Sequence, residues 1–335
     1  MKARLTGIIG VMLLLVFGAG VAASAAPEQG PLSNYKSSST RLVLLGTGGG
    51  PIPRVNRSQS ASLIQVGQSS YLVDAGDGVV RQLVAAGEAP ADINFVFLTH
   101  LHFDHVGGLP ALIGFRWNNK PAGNLSIYGP PGTAAMTAGA LNFLAIPEIL
   151  YAVTTPPGPT LAQMVNANEK SLTGPTVIYQ DANVKVTAVT NSHYVNIAES
   201  ERPYHTQSWA LRFDTPDRSI VFTGDTGPSA SVVELAKGAD ILVSEVIDLE
   251  QTIAWIQRKY NRLDSSTAPL VEHMRKEHLT AEEVGKLAKA ANVKMVVLDH
   301  LGMAPDSESD LRHFSDRVRK EYDGVVVTGK DFEEF

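Results

Sequence analysis

Phe97-Leu98-Thr99-His100-Leu101-His102-Phe103-Asp104-His105-Val106-Gly107-Gly108 follows directly on the apolar run Ile93–Phe97. Three histidines and an aspartate fall between positions 100 and 105, in a chain with only nine histidines. A lone histidine at a strand end is ordinarily a solvated loop residue. Four ligand-type side chains this close together are a metal-binding signal. His100 and His102 stand two apart and share one side of an extended segment. Asp104 and His105 follow as the chain turns, and Gly107-Gly108 let it bend closely. One segment can thereby face two adjacent cations.

Three more ligand-type residues close apolar runs in the same manner: His193 after Val184–Ser192, Asp225 in IVFTGDTG and His300 in MVVLDHLG. Each alone has an ordinary reading, as a capped loop histidine, a turn carboxylate and a core histidine. Together they repeat one design, a ligand at the carboxyl end of a buried strand.

The frame around them is α/β. RLVLLG, SASLIQV, SSYLVDAG, INFVFLTH and NLSIYG read as strands in the first half, and VKVTAVTNSH, SWALRFDT, SIVFTGDTG, ILVSEVI and VKMVVLDHL in the second. Helices are expected over GVVRQLVAAG, LPALIGFRW, PGTAAMTAGALNFLAI, SVVELAKGA, AEEVGKLAKAA and LRHFSDRVRKEY. This order predicts two sheets packed together with helices outside.

A basic n-region (Met1–Arg4), an apolar run (Thr6–Ala23) and small residues at Ala23–Ala26 read as a signal peptide over 1–26. An uncleaved anchor is the alternative. A polar lead-in is expected over 27–40 and one hydrolase-sized domain over 41–335. A periplasmic or secreted location follows, with no other segment reading as a membrane span. Removing Lys2 and Arg4 takes the formal net charge from −6 to −8. Nucleic-acid affinity rests on basic surface, so this balance argues against a nucleic-acid partner and leaves room for a small anion. The chain has no cysteine, which removes disulfides and thiolate ligands alike. A metal here is held by nitrogen and oxygen.

THLHFDH, followed by His193, Asp225 in GDTG and His300 in DHLG, resembles the metallo-β-lactamase-fold hydrolases in order and spacing over nearly the whole mature chain. The resemblance implies an αββα sandwich with the site along one edge of the two sheets. It implies that His100, His102 and His193 bind one zinc, and that Asp104, His105 and His300 bind a second, with Asp225 bridging. The flavin-linked di-iron members are similar to HxExD, with a carboxylate where this chain has His102. His102 thus suits redox-inert zinc and hydrolysis, although manganese and iron accept the same ligand types.

GTGGGPIPRVNRSQSASLIQVG, YLVDAGDGVVRQLVAAG, SEVI with Glu245 and EHLTAEEV with His278 are similar to ribonuclease Z-like members, especially the metallo-β-lactamase-type arylsulfatases. That likeness implies that His278 assists leaving-group departure, with Glu245 orienting it, and that Asp104 holds the attacking hydroxide as well as metal. Against this, Thr280–Glu283 is itself a helix capping box, and Arg54 and Arg57 read as surface charges. Trp117, Tyr194 and Trp209 are candidate wall residues.

The expected function is an exported dinuclear zinc hydrolase of sulfate or phosphate esters, arylsulfatase-like, acting on a small anionic ester, with a homodimer left open. A ribonuclease Z-like nuclease or cyclic-nucleotide phosphodiesterase is the alternative, and a non-catalytic metal-binding module a further one. Ribonuclease Z carries a tRNA-gripping arm between the third histidine and the GDT aspartate. His193 and Asp225 stand 32 positions apart, too close for such an arm, so the nuclease reading takes second place.

Overall fold

The computed structural model describes residues 39–302 and 311–335. The expected signal peptide and nearly all of the lead-in lie outside the described residues. Two sheets carry the fold. The first has the order β1-β2-β3-β4-β5-β6, with β1 Thr40–Gly46, β2 Ala61–Val66, β3 Ser69–Val73, β4 Phe95–Phe97, β5 Leu125–Gly129 and β6 Val165–Glu169. It is antiparallel through β3 and parallel beyond. The second has the order β13-β12-β11-β10-β9-β8-β7, with β7 Thr176–Gln180, β8 Lys185–Thr190, β9 Trp209–Asp214, β10 Ser219–Phe222, β11 Ile241–Ile247, β12 Met295–Gly302 and β13 Val325–Thr328. It is antiparallel from β7 to β10 and parallel from β10 to β13.

Parallel neighbours require a crossover, and a helix is the usual one. Val79–Ala85 joins β3 to β4, Leu109–Asn118 lies between β4 and β5, and Thr133–Ala152 lies between β5 and β6. In the second half, Ala230–Ala236 joins β10 to β11, and Leu249–Tyr260, Ala268–Lys276 and Ala281–Ala291 lie between β11 and β12.

Strand alternation builds the layers. Leu42 and Leu44 of β1 face the second sheet, where they join Phe97, Trp209, Leu211, Phe213, Ile241 and Val297 in the central core. Val43 and Leu45 face the other way, against Leu83, Leu109, Leu112 and Ile113 of the outer helices. A strand covered on both faces reads as an unbroken apolar run, which is how LVLL of β1 appears; ILVSEVI of β11 is interrupted by Ser244 and Glu245. The free edge of β1 is not left open. Leu42 N–H donates to the Phe335 carbonyl at 3.0 Å and Phe335 N–H returns to Leu42 at 2.9 Å, satisfying an edge that would otherwise pair with another chain.

Helix Thr133–Ala152 departs from the sequence expectation in one respect. It is long and apolar enough, by length and composition, to cross a membrane. Ala140 and Leu144 pack it into the outer core, while Phe143, Ile146, Ile149 and Leu150 remain exposed.

The ligand-bearing residues sit at one end of both sheets. β8, β10 and β12 run in the same direction, since two antiparallel pairings separate β8 from β10 and two parallel ones separate β10 from β12. Their carboxyl ends carry His193, Asp225 and His300, and β4 ends just before His100. Open α/β sheets characteristically bind ligands at this end.

Candidate metal centre and active site

Local backbone features aim each side chain. Glu245 of β11 pairs with Asp299 and Val246 with Leu301, so His300 is the extra residue of a bulge. Its φ is +43°, an uncommon conformation for a residue with a side chain. Bulges re-aim side chains near sites, and this one turns His300 into the cluster. Gly224, with φ +57°, precedes Asp225; a Cβ there would sit 2.6 Å from the Trp209 carbonyl oxygen. Asp225 can therefore enter the cluster only behind a glycine.

The structure brings all seven expected ligands together. One ligand atom from each of His100, His102, His193 and Asp225 lies within 4.8 Å of the others, and the same holds for Asp104, His105, Asp225 and His300. Asp225 belongs to both groups. Its Oδ1 is 3.3 Å from His105 Nε2, and its Oδ2 is 3.3 Å from His300 Nε2, 3.8 Å from His100 Nε2 and 3.9 Å from His193 Nε2. All seven except His102 are buried.

Neighbours hold the rings from behind. Asp74, at the end of β3 with φ +58°, accepts from His105 Nδ1 at 2.8 Å and from the Thr99 amide and hydroxyl, each at 2.8 Å. His193 Nδ1 donates to the Glu277 carbonyl at 3.0 Å. Metal-binding histidines ordinarily have the second ring nitrogen held in this way.

The electrostatics follow from packing charges without water. Burial works against the Asp225 charge, yet His300, His105 and His100 hold its carboxyl well below the ordinary range. Burial likewise opposes charge on His300, but Asp225 and Asp104 more than offset it and raise that ring to about 9. His100 and His193 are driven down, chiefly by burial. Four buried atoms, His100 Nε2, His105 Nε2, His300 Nδ1 and Asp225 Oδ1, have no hydrogen-bond partner. Such an atom costs about 1–3 kcal/mol if left alone. A set of imidazole nitrogens and carboxylate oxygens is the donor chemistry of zinc, manganese or iron, so the residues fit a divalent metal.

His278 stands beside this cluster. Its Nδ1 lies 2.7 Å from Glu245 Oε2, and its ring lies 5.1 Å from that of His193 and stacks at 6.3 Å on His300. The Thr226 amide donates to Glu245 Oε1. Burial lowers His278 to about 4, while burial and then the Asp225 charge push Glu245 well above the ordinary range. The capping box is present as well, with Thr280 accepting from the Glu283 amide. His278 thus precedes a helix start and also reaches the site.

Three residues escape sequence reading. Asp74 lies within DAGDG, a stretch that signals a turn before it signals a ligand support. His273 and Glu277 sit at the end of an amphipathic helix, Ala268–Lys276, and look like a solvated face. In the structure His273 Nδ1 contacts Glu277 Oε2, and its ring lies 5.4 Å from that of His193 and 5.1 Å from that of His278. Of the candidate wall residues, Tyr194 lies 5.4 Å from the His102 ring. Trp209 is central core, and Trp117 bonds to the Pro159 carbonyl. Arg57 is tied to Thr47 and to the Gly329 carbonyl, so it is a structural cation.

A family model described as a β-lactamase superfamily domain matches residues 70–301. Ribonuclease Z of Mycobacterium avium is 32% identical over 297 residues, covering 87% of this chain and 95% of that protein. The chain belongs to the metallo-β-lactamase superfamily, in its ribonuclease Z-like branch. It is accordingly a metal-dependent hydrolase. Among solved structures, the metallo-β-lactamase-fold protein YhfI of Bacillus subtilis superposes with a TM-score of 0.61 at 20% identity, covering 88% of this chain and 98% of that one. The short form of human tRNase Z superposes with 0.60 at 19%, covering 88% and 98%. At such identities these two report the shared fold.

The relatives correct the expected function. An arylsulfatase-like activity with nucleic acid set aside does not stand against a relative named ribonuclease Z that the chain covers across 95% of its length. The charge argument failed for a physical reason. Net charge describes the whole surface and does not report the field at any one site. The interval from His193 to Asp225 does lack a long excursion, holding two short 3-10 turns, β9 and β10.

Proposed function

We propose that the protein is a dinuclear metal-dependent nuclease that hydrolyses phosphodiester bonds in RNA. The reading is carried by the 32% identity to a ribonuclease Z that spans 87% of this chain. It is supported by the two four-residue groups that share Asp225. His100, His102, His193 and Asp225 would hold one cation, and Asp104, His105, His300 and Asp225 the other, with zinc as the first choice. Such a pair supplies Lewis-acid charge against phosphoryl oxygens and lowers the pKa of water.

The chain's own residues do the rest. Asp74 and the Glu277 carbonyl fix the His105 and His193 rings, so the centre needs little reorganisation during reaction. Glu245 engages His278 at Nδ1 and leaves Nε2 to take up a proton and pass it to the departing oxygen, a contribution of about 10²–10⁴ in rate. The cluster's burial keeps bulk water away from that transfer.

The test is direct. Protein loaded with Zn²⁺ or Mn²⁺ is given labelled RNA, bis(p-nitrophenyl) phosphate and an aryl sulfate. Cleavage of RNA with a metal requirement is expected. Hydrolysis of the sulfate alone, with RNA intact, overturns the reading.

A further inference from the structure

Beside the His278–Glu245 pair stands a second histidine–carboxylate pair that the reading above leaves without a task. Glu277 is buried. It accepts the Asn196 amide on Oε1 at 2.7 Å and contacts His273 Nδ1 with Oε2. A carboxylate only accepts, so Nδ1 donates and the neutral ring keeps a lone pair on Nε2. The His273 side chain retains 28% of its surface, against 9% for His278, which places it on the solvent side of the site. The two rings lie 5.1 Å apart and nearly perpendicular, at 86°. One ring nitrogen from each of His193, His273 and His278 lies within 4.8 Å of the others.

Two histidines side by side, each pinned at Nδ1 by its own glutamate, match two neighbouring oxygens on the departing group. Ribose offers that pair only if O3′ departs, because its 2′-hydroxyl is vicinal; a departing O5′ has no such neighbour. We propose that His273 is a specificity residue that accepts a hydrogen bond at Nε2 from the 2′-hydroxyl of the leaving nucleotide, while His278 serves O3′. The balance is simple: water adds to phosphorus and gives up a proton, the P–O3′ bond breaks, and O3′ takes a proton that His278 Nε2 has first taken up, so the proton released by the water makes good the one delivered. The products are a 3′-hydroxyl and a 5′-phosphate, and the 2′-hydroxyl is unchanged. The 2′-hydroxyl is the group by which a protein separates RNA from DNA. The inference rests on the phosphodiesterase reading and adds to it the source of the ribose preference.

The test uses the metal-loaded full chain and two oligonucleotides, identical except for a 2′-hydroxyl or 2′-deoxy sugar immediately 5′ of the scissile phosphate. The wild type is expected to prefer the ribo substrate in kcat/KM by about tenfold, the worth of one hydrogen bond. His273→Ala collapses the ribo/deoxy ratio toward one, and His273→Gln, whose amide oxygen still accepts, retains part of it. A ratio unchanged in His273→Ala overturns the proposal, because a merely structural role would slow both substrates alike. If His273→Ala loses metal, the His273→Gln ratio decides by the same criterion. A wild type that cuts both substrates equally overturns the 2′-hydroxyl contact and leaves the nuclease standing; one that cuts no RNA overturns the nuclease reading itself.

Discussion

Glu245 Oε2 and His278 Nδ1 meet at 2.7 Å across 33 positions of chain, both residues closed off from solvent beside the ligand cluster. The pair is separate from the seven ligands, so its removal distinguishes chemistry from metal binding. His278→Ala is expected to lower kcat by about 10²–10⁴ with metal content unchanged, and Glu245→Gln by less. Metal analysis beside steady-state kinetics checks both. Equal loss of metal and activity would assign His278 to the ligand set.

Asp225 is the one residue shared by both groups of ligand atoms. Asp225→Ala is expected to reduce bound metal and to cost more than about 100-fold in activity. Asp74→Asn, which removes no ligand but weakens the hold on His105 and Thr99, should cost about 10–100-fold in affinity or activity. Inductively coupled plasma measurements on the dialysed variants separate the two.

Chelation tests the same centre through stability. An ion that binds only the folded state at 100 times its Kd adds about 2.7 kcal/mol. Treatment with a chelator should lower Tm by roughly 5 °C or more, and added Zn²⁺ should restore it. Calorimetry that finds one Tm in both states would remove metal from the stability account.

Asp181 offers a pH test well away from the metal. It accepts Tyr71 OH at 2.7 Å, Tyr179 OH at 2.9 Å and the Asn183 and Val184 amides at 2.8 Å each. Burial opposes its charge, but these donors, Tyr71 foremost, hold its carboxyl below the ordinary range. Its contribution is therefore complete above the unfolded value and lost as pH falls through the depressed folded one. Asp181→Asn should cost about 1–3 kcal/mol at pH 7, with the gap to wild type closing below about pH 4. At the alkaline end, burial raises Tyr71 to about 12, so stability falls as pH climbs from about 10, where unfolded tyrosine ionises. Urea midpoints across the range read both limbs.

Legibility in the sequence followed the strength of local signals. His100, His102, Asp104 and His105 announce themselves by crowding, and the strands covered on both faces by apolar runs. β6, β7 and β13 were missed, all three sheet-edge strands; VNANE and TVIYQ carry the mixed polarity that an exposed edge tolerates, and VVVT is only four residues long. His273 and Glu277 were hidden because a helix with one polar face gives no hint that a polar residue reaches inward. The ribonuclease Z-like branch was legible, but the arylsulfatase-like activity read from the same stretches was not, for another reason. GTGGG positions the chain behind His300, with the Gly49 amide on the Leu301 carbonyl and the Gly50 amide on His300 Nε2, and DAGDG carries Asp74. These stretches build the centre and say nothing of which ester it receives.

The donors are split between the two sheets. His100, His102, Asp104 and His105 follow β4, whereas His193, Asp225 and His300 belong to β8, β10 and β12. The chain passes from one sheet to the other between Glu169 and Thr176, and a break there would leave each fragment with an incomplete set. Recovered hydrolysis on mixing two such fragments would then be a direct readout of reassembly, and a cysteine-free chain would have its cross-link in an ion that can be withdrawn and returned.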